Sequence, residues 1–105
     1  MKILVKDGVI IREINQPFIS LCKAIDEVWI YDGRDPVITS ANDSKHMAKS
    51  LHYKNLAWDL RTRNLSIEET KEFAINLEEE LELRPGESQY DVIVEKDHIH
   101  VEFDS

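Results

Sequence analysis

Apolar residues along this chain recur with two periods, one typical of strands and one typical of helices. Two short apolar runs, residues 1–5 and 9–14, flank Lys6-Asp7-Gly8, and an Asp-Gly pair in this position favours a β-hairpin. After Pro17 the spacing becomes helical, and we predict a helix that ends at Asp32-Gly33. Its apolar positions are Phe18, Leu21, Cys22, Ile25 and Val28.

The middle of the chain alternates between apolar and polar positions over residues 56–61, which predicts a half-buried strand. One face can anchor in the core while Asp59, on the other face, points into a cleft. Residues 37–39 predict an earlier strand, and residues 45–52 fit either a loop or one helical turn. The predicted faces of the longer strand are Leu56, Trp58 and Leu60 on one side and Ala57, Asp59 and Arg61 on the other.

A second helix is predicted to begin at Ser66 and to end at Pro85-Gly86. Ser66 and Glu69 have the spacing of a capping box, in which each side chain bonds the backbone N–H of the other residue. Two further strands, residues 90–95 and 99–103, follow the helix with only residues 96–98 between them. The apolar side of the helix is predicted to consist of Phe73, Ile75, Leu77 and Leu81.

These elements predict an α+β fold in which two helices pack on a small antiparallel sheet. A chain of 105 residues corresponds to one domain, so residues 1–105 are expected to form a single unit, and we expect a monomer. The chain contains no internal repeat, low-complexity segment or linker.

Charge and cysteine content exclude several classes of function. The net charge of −8 argues against nucleic acid as a partner, because phosphate binding needs clustered Lys and Arg. No apolar run approaches the roughly 20 residues that span a bilayer, and the N-terminus does not resemble a signal peptide, so we expect synthesis in the cytoplasm. Cys22 is the only cysteine, which excludes a Cys-based zinc site and favours a buried apolar role for it.

All four histidines fall in two segments that also carry aspartates, residues 46–59 and residues 97–100. His52 and Asp59 can reach one metal ion only if the chain turns between them, and Asn55 is suited to such a turn. His98 and His100 share one face of a strand because side chains alternate with period two. A single His or Asp is most often hydrogen-bonded or capping, but this combination has the donors of a catalytic zinc site with an open position for water.

The segment from Ser50 to Asp59 resembles the S-x-H-x-x-G-x-A-x-D motif of the zinc D-alanyl-D-alanine carboxypeptidases and of the L-alanyl-D-glutamate endopeptidases of phage lysins. The segment from Asp97 to His100 resembles the second motif of this family, D-x-x-H. The hedgehog signalling domain is similar in its metal site and has an H-x-H segment. The resemblance covers residues 37–103 and implies the hedgehog/D,D-peptidase fold.

Carried over to this chain, the resemblance implies zinc bound by His52, Asp59 and His100, with Asp97 as the catalytic acid and base. It places His98 beside the metal, where it would orient the substrate or stabilise the oxyanion. Ser50 would be a hydrogen-bonding group near the site. The motif glycine is replaced here by Asn55.

The family also has an arginine before the first motif that binds a substrate carboxylate, and residues 39–46 contain none. Lys45 or His46 would take over part of this role, as a point charge in the case of Lys45.

The resemblance therefore implies a zinc peptidase that cleaves stem peptides of bacterial peptidoglycan, such as an endolysin released to act on the cell wall. Two other hypotheses remain open. One is a binding or structural module on the same fold, in which zinc serves stability alone. The other is an acidic adaptor without metal, for which the spacing of His and Asp would be a coincidence.

Overall fold

A five-stranded mixed sheet and two α-helices form the fold across residues 2–11, 14–41, 57–82 and 90–103, the parts of the chain that the computed structural model describes. The architecture is α+β, as predicted. In chain order the elements are β1 Leu4–Val5, α1 Gln16–Trp29, β2 Val37–Ser40, β3 Ala57–Arg61, α2 Ile67–Glu82, β4 Tyr90–Val94 and β5 His98–Phe103.

The strands lie in the order β1-β2-β3-β5-β4. The prediction of an antiparallel sheet is wrong for one pairing, because β1 runs parallel to β2 while the other three neighbouring pairs are antiparallel. The two strands with the candidate chemistry, β3 and β5, are direct neighbours in the interior of the sheet. In their register Asp59 is opposite His100 and Arg61 is opposite His98.

The turn after β1 is confirmed, but the predicted hairpin is wrong. The N–H of Val9 donates to the carbonyl of Lys6 over 3.1 Å, and Gly8 has φ of +90°, a conformation that favours glycine. Residues 9–11 nevertheless form no strand. β1 instead bonds to β2, with Lys6 N–H donating to the carbonyl of Ile38 over 2.9 Å, so it pairs with a distant segment and not with the residues after the turn.

The core lies between one face of the sheet and the two helices. The alternation predicted for β3 is confirmed at Trp58 and Leu60, which are completely buried. Ile99 and Val101 of β5 are also completely buried on this inner face. Because side chains alternate along a strand, burial of these residues directs Asp59, His98 and His100 to the outer face. The helices contribute Leu21, Ile25, Leu77 and Leu81 to the same core.

Helix α1 begins close to the predicted position and ends slightly earlier than predicted. The Asn15 side chain caps it by accepting a hydrogen bond from the N–H of Phe18 over 2.9 Å. Pro17 lies in the first turn, where it costs no helical hydrogen bond. The helix ends at Trp29, and Asp32 N–H then donates to the carbonyl of Trp29 in the turn that follows.

Helix α2 confirms the predicted capping box. Glu69 N–H donates to Ser66 Oγ over 3.0 Å, and Ser66 N–H donates to Glu69 Oε1 over 2.8 Å. The prediction that Ile75 belongs to the apolar side is wrong, since its side chain is 57% exposed. Two residues of helix rotate a side chain by about 200°, so Ile75 cannot share the face of Leu77, and Ala74 is buried instead. The predicted end of this helix at Pro85-Gly86 lies outside the described residues.

Neither described helix is long and apolar enough to cross a membrane.

Candidate metal centre

Three side chains on the outer face of β3 and β5 converge on one point. Asp59, His98 and His100 each offer one potential ligand atom, and these atoms all lie within 4.8 Å of one another. Asp59 is directly opposite His100 in the strand register, and His98 is two residues before His100 on the same face. Both strands are internal to the sheet, so backbone hydrogen bonds on either side hold the cluster in place.

His100 lies between two carboxylates. Its Nδ1 is 2.8 Å from Asp59 Oδ1, and its Nε2 is 2.9 Å from Glu102 Oε1. The hydrogen bond with Asp59 raises the pKa of His100 above its ordinary value, although partial burial of the ring opposes the effect, and Glu102 raises it further. In the metal-free protein this arrangement favours an imidazolium that bridges Asp59 and Glu102.

His98 is held by Asp97 on the side away from Asp59. Its Nδ1 is 2.6 Å from Asp97 Oδ1, and its Nε2 is 3.6 Å from Asp59 Oδ1. Donation from Nδ1 to Asp97 leaves Nε2 with the lone pair, facing the cluster. A carboxylate that orients the far nitrogen of a histidine is a common arrangement around metal ligands. Asp97 itself is 82% exposed, so its second oxygen is open to solvent.

The donor set and spacing fit a metal ion. Imidazole nitrogen and carboxylate oxygen are ordinary ligands of zinc and of other divalent transition metals. Ligand atoms bound to one tetrahedral zinc lie about 3.3 Å apart, given bond lengths of about 2.0–2.1 Å. The separations of 2.8 Å and 3.6 Å from Asp59 Oδ1 to the two histidines fall on either side of this value. These three residues therefore lie close enough together to bind a metal ion.

A cleft of about 300 Å³ opens beside the cluster. Polar and charged side chains from three strands and three loops line it: Lys6, Thr39, Ser40, Asp59, Arg61, Arg63, Asp97 and His98. A neighbouring cleft of about 320 Å³ shares Arg63 and Asp97 with it and is lined further by apolar residues such as Leu65 and Val94. A larger cleft of about 500 Å³ against α1 is lined mainly by apolar side chains. The candidate site is therefore the cleft of about 300 Å³, because Asp59 and His98 of the cluster line it.

The structure brings together four of the residues predicted from the sequence: Asp59, Asp97, His98 and His100. The other predicted residues, His52, Ser50, Lys45 and His46, lie outside the described residues together with Asn55. Their roles as a zinc ligand and as substrate-binding groups therefore stay predictions.

Sequence reasoning missed Glu102 and the three cations that line the cleft, Lys6, Arg61 and Arg63. Glu102 contacts His100, and its position two residues further along the same strand face was a usable signal. Lys6 lines the cleft because β1 pairs with β2, and no local pattern in the sequence indicated that pairing.

Comparison with protein-family models, with curated proteins and with solved structures finds no match to this chain.

Proposed function

We propose that this protein is a zinc-dependent peptidase that hydrolyses peptide bonds in the stem peptides of bacterial peptidoglycan. The observation that carries the proposal is the cluster of Asp59, His98 and His100 at a polar cleft, with the carboxylate of Asp97 beside it. The substrate class rests on the two motifs, from Ser50 to Asp59 and from Asp97 to His100, that resemble those of the zinc carboxypeptidases and endopeptidases.

In this proposal Asp59 and His100 are two of the metal ligands, and their opposed positions on β3 and β5 support that assignment. The motif resemblance names His52, which lies outside the described residues, as the third ligand, and among the described residues His98 is close enough to serve. Bound zinc would act there as a Lewis acid toward water and toward the carbonyl of a peptide bond. Glu102 would hold His100 through its second ring nitrogen.

Asp97 is the proposed general base and acid. It lines the cleft, and its Oδ1 accepts from His98, which restrains the carboxylate while Oδ2 stays available. Asp97 would take a proton from the attacking water as the carbon–oxygen bond forms. It would then deliver that proton to the amine nitrogen as the carbon–nitrogen bond breaks, which regenerates the carboxylate.

The structure also favours one specific alternative, a metal site that serves stability alone. Asp59 and His100 are 41 residues apart in sequence, and an ion between them would crosslink the two internal strands. A structural site could also use Asp97 to orient His98, but it has no use for the second carboxylate oxygen, which is open to solvent at the cleft and favours the peptidase.

Digestion of purified peptidoglycan, with mass spectrometry of the products, tests the proposal. The zinc-loaded protein is expected to release stem-peptide fragments, and a chelator is expected to abolish the release. Assayed at saturating zinc, Asp97→Ala is expected to stay metal-loaded and to lose cleavage by at least about 100-fold, in the range of general-base catalysis. Asp35→Ala removes an exposed aspartate that does not line this cleft and serves as the matched control.

Two outcomes would contradict parts of the proposal. Full cleavage by Asp97→Ala would remove Asp97 from the mechanism, and tight zinc binding without any cleavage by the parent protein would favour the structural site. Metal analysis of His52→Ala and His98→Ala decides the third ligand, since the variant that loses zinc identifies it.

A further inference from the structure

Three cationic side chains, Lys6, Arg61 and Arg63, line the cleft beside the metal cluster. They do so in a chain whose net charge is −8 and whose surface is therefore mostly acidic. The cleft therefore carries more cations than carboxylates although the chain as a whole is acidic.

Each cation is positioned by a defined piece of backbone. Arg61 is on β3, two residues after Asp59 and opposite His98 in the register. Arg63 follows in a turn that Leu65 N–H closes by donating to the carbonyl of Thr62 over 2.8 Å. Lys6 directly follows β1, where its own N–H is bonded to β2.

The turn that carries Arg63 is itself held in place. The Arg34 guanidinium donates to the carbonyl of Asn64, the residue next to Arg63. It also donates to Glu69 Oε2 over 2.7 Å, at the first turn of α2 that follows. Anchoring at Asn64 and Glu69 fixes the position from which Arg63 faces the cleft, although Arg63 itself is exposed.

The carboxylates of the cleft are already engaged, whereas the cations are not. Asp59 is bonded to His100 and Asp97 to His98. Within the described residues, no ion pair joins Lys6, Arg61 or Arg63 to a carboxylate. A charged group that enters the cleft therefore does not have to displace an existing ion pair.

We infer that Lys6, Arg61 and Arg63 form an anion-binding subsite that takes a carboxylate of the substrate next to the metal cluster. The charge count favours a carboxylate over a phosphate. Three cations against the two carboxylates that line the cleft leave an excess of one positive charge, counted over these five side chains alone. This excess matches a monoanion, and arginine binds carboxylate oxygens through paired N–H donors.

This inference rests on the proposed peptidase function for the identity of its substrate. The carboxylate has two sources in a stem peptide: the chain terminus, as in D-alanyl-D-alanine, or the free α-carboxylate of a γ-linked glutamate. The first would make the subsite that of a carboxypeptidase, and the second that of an endopeptidase.

Binding to the full chain, measured by calorimetry with and without zinc, tests the subsite independently of activity. The probes are N-acetyl-D-alanyl-D-alanine and N-acetyl-L-alanyl-γ-D-glutamyl methylamide, each compared with the form in which its carboxylate is an amide. Wild-type protein is expected to bind at least one acid roughly tenfold more tightly than the matching amide, as for a charge-assisted contact. The probe that shows the preference identifies the source of the carboxylate.

The triple variant Lys6→Gln, Arg61→Gln, Arg63→Gln is expected to bind acid and amide equally. The control Lys2→Gln, Lys23→Gln, Lys71→Gln removes the same charge from exposed positions away from this cleft and should keep the preference. Arg63→Gln alone, at an exposed turn position, serves if the triple variant does not fold, and it should reduce the preference.

Equal binding of acid and amide by the wild type, an unchanged preference in the variants, or tighter binding of inorganic phosphate would overturn the subsite. Failure of the proposed peptidase has a different signature. In that case zinc does not bind or no peptide is cleaved, while the acid preference of the metal-free protein is still measured.

Discussion

Two networks in this protein share one layout, in which a nitrogen-rich side chain lies between two carboxylates, yet they differ in what they can do. In the first, Arg34 donates to Asp32 Oδ1 and Oδ2 over 2.8 Å and to Glu69 over 2.7 Å. It joins the turn after α1 to the start of α2. Because a guanidinium keeps its proton at every accessible pH, this network can only be a crosslink.

In the second network His100 lies between Asp59 and Glu102 at similar distances. Imidazole loses its proton near neutral pH and then offers a lone pair, so the position that a proton occupies in the metal-free protein can be taken by a metal ion. The two networks have similar geometry but different capabilities. Only a central group that can give up its proton can exchange that proton for a metal ion. This difference also explains why the His100 network lies at a cleft, since the exchange of a proton for an ion needs access.

The largest expected effect comes from removing the central group of each network. His100→Ala is expected to abolish measurable zinc binding, because it removes a ligand and the imidazole that lies between the carboxylates of Asp59 and Glu102. Arg34→Ala is expected to leave zinc affinity within about twofold, since Arg34 contacts none of the cluster residues. Competition titration with a zinc-sensitive chelating dye measures both affinities. Equal zinc affinity in the two variants would contradict the distinction between a metal-binding His100 network and a structural Arg34 network.

A smaller effect is expected when only the support of the ligand is removed. Glu102→Gln keeps a hydrogen-bonding side chain but removes the negative charge behind His100. The expected loss of zinc affinity is roughly 10–100-fold, as for other residues that orient a histidine ligand. The same titration measures it, and Glu78→Gln, an exposed glutamate of α2, is the control. An unchanged affinity would show that Glu102 is a neighbour of the site without a role in it.

Local patterns predicted the orientation of the site residues but not their partners. Alternation along β3 predicted that Asp59 and Trp58 lie on opposite faces of the sheet. Alternation along β5 predicted that His98 and His100 share one face. Local patterns also predicted the capping box at the start of α2. These features depend on a few residues that are neighbours along the chain, so they can be predicted from a single sequence.

The pairing of distant strands required the structure. The pairing of Asp59 with His100 depends on which of several possible registers two strands adopt across 41 residues of chain. The hairpin prediction failed for the same reason: an Asp-Gly turn specifies a reversal of the chain, not the strand with which β1 will pair. Lys6 reaches the cleft through this unpredicted pairing, whereas Arg61 was already predicted on the strand face of Asp59.

The smallest expected effect concerns the pH dependence of the Arg34 network. Hydrogen bonds from Arg34 lower the pKa of Asp32, and they lower the pKa of Glu69 together with the Ser66 N–H. A carboxylate with a lowered pKa in the folded state stabilises that state above its ordinary pKa, near 4, and loses this contribution as pH falls through the lowered value. Arg34→Gln is therefore expected to be modestly less stable than wild type at pH 7, and the difference should shrink as the pH falls below about 4, the ordinary pKa of these carboxyls. Urea unfolding of the metal-free proteins at a series of pH values measures it. A stability difference between wild type and Arg34→Gln that stays constant as the pH falls would mean that Arg34 stabilises the fold through packing. The contrast between the Arg34 network and the His100 network would then not rest on charge.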